Sequence, residues 1–397
     1  MRTSEVWLAG GLRTPFSKFG GALRDMSSVD LAAFVIRELL QRYEVPGEDV
    51  DEVYVGVVMQ GEAALNDGII ARQAVLKAGL PPTTVSLTID RACCSSLTAV
   101  QLGSRAIWLG EADVVVCAGA DNMGRSPLLL PSNRFGQVKV ADVTLKDPLY
   151  KLGYREYNPN AVDAGEVALE EGVTRQEQDE WALRSQRRYQ EAKAAGKFAD
   201  EIVPVPYLLP EDEFPKPHTT LEKLAQLPAV YGSPTVTAGN APGLDTGAAA
   251  VLLLSDRAVE RYRLQPLARV LSVASVALPP RDIARAPAPA LRKALDQAGV
   301  ALDELDLIEI NEAFAAMPLV ATKLLAEGDP EKARQLREKV NVNGGAVAIG
   351  HPVGASGARL LMTLAYELQR RGGGRGACAI CGGLAQGDAA VIEVPAE

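Results

Sequence analysis

Asp90-Arg-Ala-Cys93-Cys94-Ser-Ser-Leu-Thr-Ala-Val-Gln101 joins two stretches of different periodicity. Before it, the β-branched run 84–89 reads as a strand. After it, apolar residues recur at three- and four-residue intervals over 97–109, and Gly110 supplies a helix stop. Two cysteines and two serines therefore stand where a strand turns into a helix. Unpaired N–H groups at a helix start stabilise an anion, which lowers a thiol pKa and prepares a nucleophile. A buried structural cysteine pair at a tight turn fits the same residues, because free cysteine is among the most buried residue types.

The flanking chain is layered in the same way. Short apolar strands are expected at 5–10, 53–58 and 112–119, with helices from Ser28 or Asp30 to about residue 43 and over 68–78. Alternation of this kind predicts a layered α/β domain. Composition shifts near Asn122, and 122–247 is richer in Pro, Arg, Tyr and charge. It holds one long expected helix, 174–195, opened by the capping pattern Thr174-Arg-Gln-Glu177. This segment is expected to be a loop-rich insert covering a site on the α/β body. A strand over 249–254 returns the chain to the first half. From 269 the alternation resumes, with expected helices at 288–298 and 358–370 and strands at 305–310 and 389–394.

The second half echoes the first. Ser95-Ser-Leu, a helix, Gly110 and Val-Val-Val-Cys-Ala-Gly correspond to Ser356-Gly-Ala, a helix, Gly372-Gly-Gly and Ala-Cys-Ala-Ile-Cys-Gly. Such a repeat predicts two similarly built halves facing one another, with a site drawing residues from both. The division is 1–121 plus 248–268, the insert 122–247, and 269–397.

Bulk properties exclude several classes. In 397 residues, 47% are hydrophobic and 23% charged, and the net charge of −9 is wrong for a nucleic-acid binder. An anionic substrate must then be held by local cations or helix N-termini. Five cysteines, two of them adjacent, argue against a disulfide framework and for a reducing compartment. Cys378-Ala-Ile-Cys381 lies in a strand-like run without a second zinc-spaced pair, so no metal is expected. The start, Met1-Arg-Thr-Ser-Glu-Val-Trp7, lacks the apolar core of a signal peptide, and no stretch is long enough to span a membrane. Cytoplasm is the expected location.

The chain has two histidines, His218 and His351. His351 lies in the glycine-rich Gly350-His-Pro-Val-Gly-Ala-Ser-Gly357 and is a candidate general base, or a structural turn residue. His218, in Pro215-Lys-Pro-His-Thr, reads as a solvated loop residue. Asn311-Glu312 follows a buried-looking strand, where open α/β sheets place ligands, or else caps the next helix. Cys381 precedes Gly382-Gly383 at a strand end, where inert buried sulfur is the alternative to a functional thiol.

Taken together, Asp-Arg-Ala-Cys93-Cys-Ser-Ser, Gly239-Asn-Ala-Pro-Gly, Asn311-Glu-Ala-Phe314, Gly350-His-Pro-Val-Gly-Ala-Ser-Gly and Cys381-Gly-Gly-Leu-Ala-Gln-Gly strongly resemble the thiolase family. The resemblance extends from Arg13-Thr-Pro-Phe to the last strand, and includes Arg184-Ser-Gln and Glu201-Ile-Val-Pro-Val. It implies a five-layer αβαβα fold and acyl transfer between CoA thioesters through an acyl-cysteine. It also implies a homodimer or homotetramer, with CoA as substrate and no separate cofactor. By the same resemblance Cys93 is the nucleophile and Cys94 a bystander. His351 is the base, and Cys381 exchanges the α-proton. Asn311 with His351 forms one oxyanion hole, and the N–H groups of Cys93 and Gly383 form the other. Lys216, Ala238, Pro242 and Phe314 are the implied CoA contacts.

The sequence departs from the family at several of these places. Pro242 stands where a pantetheine-contacting serine is usual, Asp245-Thr-Gly replaces Asn-Asp-Gly, and the 157–163 stretch lacks the His-Met-Gly of short-chain enzymes. Lys216 stands near a common arginine position. Two other readings share the wider fold. A decarboxylating ketoacyl synthase pairs its cysteine with two His, or His and Asn. A non-catalytic acyl-CoA-binding protein needs no reactive thiols.

Overall fold

The computed structural model describes residues 4–131 and 142–396. The first three residues, used above to argue against a leader, and part of the insert lie outside the described residues. In the first half, β1 (Trp7–Arg13), β2 (Glu52–Gly56), β3 (Val85–Ile89), β4 (Val114–Asn122) and β5 (Thr246–Leu254) form the order β3-β2-β4-β5-β1. The second half contains β6 (Ala268–Ala277), β7 (Leu307–Ile310), β8 (Gly374–Gly382) and β9 (Gln386–Val394), ordered β6-β9-β8-β7. In each half a parallel pair is followed by antiparallel strands. An isolated parallel bridge from Ile308 to Val340 stands where the first half has β3. The halves join edge to edge through Trp7↔Arg269 and Leu8↔Ala268.

The apolar runs form strands because both of their faces are covered. With a side-chain period of two, Val115 and Cys117 enter a central core while Val114, Val116 and Ala118 enter an outer one. The same split sends Cys378 and Ile380 to the central core, and Ala377, Ala379 and Cys381 to the opposite face. The Cys378 and Cys381 sulfurs thus point apart. Fully burying a valine or leucine contributes about 1.5–3 kcal/mol, so strands apolar on both faces are stable only between two layers. The Ser95–Leu109 and Ser356–Arg370 helices pack on each other between the sheets. Ser28–Arg42 and Ile70–Lys77 cover one outer face, and Pro287–Ala298 with Ala316–Leu325 the other. This is the expected α/β architecture of two similar halves in five layers.

Three local expectations are corrected. The first helix is capped by Ser27, whose hydroxyl accepts from the Asp30 N–H while the Asp30 carboxylate accepts from the Ser27 N–H, both at 3.1 Å. Asp30 takes the third helical position of a capping box, and Ser28 is the first residue of the helix itself. Besides the expected Arg175–Ala194, the insert contains the five-residue helix Leu221–Ala225 and a longer one, Asn160–Glu170. Its start follows Pro159 with no side-chain cap, so the usual entry signal is missing. Asn311 and Glu312 do not cap the following helix, which starts at Ala316 behind Ala315.

Candidate active site

The repeat brings the site together. Equivalent loops precede the two central helices, one carrying Cys93 and the other His351. The first turns of these helices touch: the Ser96 hydroxyl accepts from the Ala358 N–H at 3.0 Å, and a Cβ on Gly357 would lie 2.5 Å from the Leu97 nitrogen. Both helix N-termini therefore face the same small volume, the arrangement that favours anionic charge.

Each loop is pinned. Ala92 holds a left-handed φ of 49°, and its N–H donates to Asp90 Oδ1 at 3.0 Å. Ser95 Oγ accepts from the Arg91 N–H and donates to the Ala92 carbonyl. The Arg91 guanidinium reaches Gln386 and Asp388, clipping the cysteine turn to the segment after Cys381. On the other side, Gly350 has φ +109°, and a Cβ there would press on Asp245. The bare backbone lets Asp245 Oδ2 accept the His351 N–H at 2.6 Å. Asp121, at the end of β4, accepts from the N–H groups of Met59 (2.7 Å) and Gly354 (2.6 Å), tying a third loop to the histidine loop.

The result is a Cys–His pair. His351 Nε2 lies 3.2 Å from Cys93 Sγ, and Asn311 Nδ2 lies 3.4 Å from the same nitrogen. His351 Nδ1 is 2.5 Å from Ser356 Oγ, which is also 2.8 Å from the Pro352 carbonyl. Ser356 has one proton, and the carbonyl can only accept it. The hydroxyl then accepts from Nδ1–H, which leaves the Nε2 lone pair facing the thiol. Asn311 Oδ1 is buried with no hydrogen-bond partner among the described residues, an acceptor left for a bound water or substrate group. Cys94 Sγ turns the other way, 3.6 Å from the Ile380 carbonyl.

Electrostatics correct one expectation. Cys93 keeps partial solvent access yet sits deep, and burial, with Cys381 and Asp121 nearby, pushes its thiol well above the ordinary range. Desolvation outweighs the helix start. Burial and the Arg359 guanidinium hold His351 down at about 3. The resting pair is therefore neutral, S–H facing N. Burial also raises the Cys381 thiol to about 12.

Cys93, His351 and Gly383 line a cavity of about 600 Å³ together with Ala238, Pro242 and Phe314. Cys381 and Asn311 are fully buried behind it. Lys216 is exposed outside the lining, over the Phe214 ring, and His218 is exposed on the same loop. Residues from 148–161 and 230–244 of the insert form much of the wall. An apolar cluster of Met123, Leu149 and Val353, with Met59 and Leu152, packs beside Cys93.

Glu312 has a role the sequence reading missed. Its buried carboxylate accepts from Trp181 Nε1, Ser185 Oγ, Asn341 Nδ2 and the Val347 N–H, all at 2.8–3.0 Å. It joins the insert helix to the strand end carrying Asn311 and to the approach to His351. Ser356 and Asp121 were also missed. A polar residue ending an all-apolar strand was the available signal for Asp121. For Ser356 the signal was a hydroxyl five residues after the histidine.

A thiol in contact with an imidazole on the wall of one cavity suits acyl transfer through a covalent intermediate. Residues 6–257 match the family model "Thiolase, N-terminal domain", and 264–394 match "Thiolase, C-terminal domain". The chain belongs to the thiolase family. An acetyl-CoA acetyltransferase of Chromobacterium violaceum is 42% identical over 404 residues, covering 98% of this chain and 100% of that protein. A beta-ketoadipyl-CoA thiolase of Pseudomonas aeruginosa is 42% identical over 408 residues, covering 98% and 99%. The structure of human mitochondrial 3-ketoacyl-CoA thiolase in complex with CoA superposes with a TM-score of 0.93 at 37% identity, covering 99% of this chain and 98% of that one. Among the described residues no helix is long and apolar enough to cross a membrane.

Proposed function

We propose that the chain cleaves 3-ketoacyl-CoA with CoA, and runs the reverse condensation, through an acyl group carried on Cys93. The observation that carries this reading is the 3.2 Å contact between Cys93 Sγ and His351 Nε2, on the wall of a cavity of about 600 Å³. His351 takes the thiol proton as sulfur attacks the C3 carbonyl. The oxygen becomes negative beside the N–H groups of Cys93 and Gly383. The C2–C3 bond then breaks, and its electron pair leaves as the enolate of acetyl-CoA, stabilised by Asn311 with His351. Cys381 returns a proton to the α-carbon. The incoming CoA thiol gives its proton to the Cys381 thiolate, its sulfur takes the acyl group, and His351 returns its proton to the departing Cys93 sulfur. Side chains and backbone N–H groups of the chain supply every group in this sequence, so CoA is substrate and product and no separate cofactor is required. Ala238, Pro242 and Phe314 lie along the pantetheine path, and the insert 122–247 covers it between the halves 1–121 with 248–268 and 269–397. Lys216 reaches the nucleotide end from outside the cavity.

Covalent transfer through one site requires ping-pong kinetics. Initial rates of acetoacetyl-CoA thiolysis against CoA should give parallel double-reciprocal lines. Lines that intersect would mean direct transfer without an acyl-enzyme.

The working form in this reading is a homodimer or homotetramer. β3 ends the sheet with Val85 60% and Leu87 47% exposed, an apolar edge that suits a second copy. Light scattering should give a multiple of 42.1 kDa, and a monomer at micromolar concentration would contradict this. Five free cysteines fit a reducing cytoplasm, and recovery of the protein from a secreted or membrane fraction would contradict that placement.

A further inference from the structure

Tyr154 lies in the insert, three residues before the 157–163 stretch that departs from the short-chain pattern, and its hydroxyl enters the reacting centre. It lines the same cavity as Cys93 and His351. A Cβ on Gly383 would overlap the Tyr154 hydroxyl, and the same point lies 3.3 Å from Ala92 Cβ, next to the nucleophile. Only glycine at 383 leaves room for the phenol. The ring itself is 39% exposed at the cavity mouth, so the hydroxyl reaches inward from a partly open position.

The phenol is suited to donate. Burial, with the nearby Cys93 and Cys381 sulfurs adding to the shift, raises its pKa to about 12, so it keeps its proton at neutral pH. The Asn160 side chain acts in the opposite direction, as a donor to the phenol oxygen does, which leaves the phenolic proton free for another acceptor.

We propose that Tyr154 is a third hydrogen-bond donor to the oxygen that becomes negative when Cys93 attacks the thioester or keto carbon. This rests on the acyl-transfer reading above. The two backbone N–H groups and the phenol then surround one oxygen, and the phenol is the only one of the three that a side-chain change removes. Loss of a single oxyanion-hole donor typically costs about 10²–10³ in rate. With two donors remaining, a loss of about 10- to 100-fold is expected.

The test uses the conservative variant Tyr154→Phe in the full chain. Single-turnover acylation of Cys93 by saturating acetoacetyl-CoA is timed by quenching and mass spectrometry. In parallel, alkylation of Cys93 by iodoacetamide reports thiol reactivity without any oxyanion. The expected result is a fall of at least about tenfold in the acylation rate, with KM within about twofold and alkylation unchanged. An unchanged acylation rate would overturn the proposal. So would acylation and alkylation falling together, which would place Tyr154 on the thiol, or a change confined to KM, which would make it a wall. Failure of the underlying acyl-transfer reading looks different: the wild-type chain would then form no acyl-Cys93.

Discussion

His351→Ala should slow the acylation of Cys93 by at least about 10³-fold at neutral pH, within the range that a positioned general base contributes. The geometry makes this group hard to replace. Cys93 Sγ has one nitrogen acceptor at 3.2 Å, and Ser356 holds that ring in the tautomer with its lone pair toward the thiol. The pH dependence supplies the sign. The imidazole is held at about 3, so it stays an unprotonated base through pH 5–8, and wild-type acylation should be nearly level there. Without it the thiolate must form unaided from a thiol raised well above its usual range. The thiolate fraction then grows with pH, and the variant's rate should climb about tenfold per unit from pH 6 to 8. Rapid-quench acylation across this range checks both statements. A loss under tenfold, or a variant as level as the wild type, would mean that His351 is not the proton acceptor.

Glu312→Ala should destabilise the chain by more than about 4 kcal/mol. Four donors converge on this carboxylate at 2.8–3.0 Å, from the insert helix, from Asn341 and from the approach to His351. Hydrogen bonds to a charged group contribute about 1.5–3 kcal/mol each, and the donors left behind would be buried without partners. A Cβ on Gly345 would press on the Glu312 carboxylate, so the pocket is shaped for this side chain. The shift of the urea midpoint measures the effect, and Glu312→Gln should fall between the two because its amide offers one acceptor oxygen instead of two. An alanine variant within about 1 kcal/mol of the wild type would show that the hub is dispensable.

The layers were readable because strands buried on both faces must be apolar throughout, as 114–118 and 249–254 are. The repeat was readable because each half turns from Ser-rich loop to helix to apolar strand. Cys93 and His351 could be paired in advance only through the family resemblance, since 258 residues separate them. What remained hidden depends on three-dimensional surroundings. A helix start lowers a thiol pKa, but the burial that reverses the shift at Cys93 is set by distant segments. Asn311-Glu312 reads locally as a cap, and only the approach of Trp181, Ser185 and Asn341 turns Glu312 into a hub. Ser27 was passed over for its neighbours because Ser27, Ser28 and Asp30 each offer a capping oxygen within four residues. Tyr154 gains meaning only where its hydroxyl meets Gly383, more than 200 residues away.

The most direct measurement is peptide mass spectrometry after brief exposure to acetoacetyl-CoA, followed by addition of free CoA. The account requires an acetyl group on the peptide containing Cys93, assigned by fragmentation to Cys93 rather than Cys94, and its discharge by CoA as acetyl-CoA. An adduct on Cys94, or none on either thiol while acetoacetyl-CoA is being consumed, would contradict it.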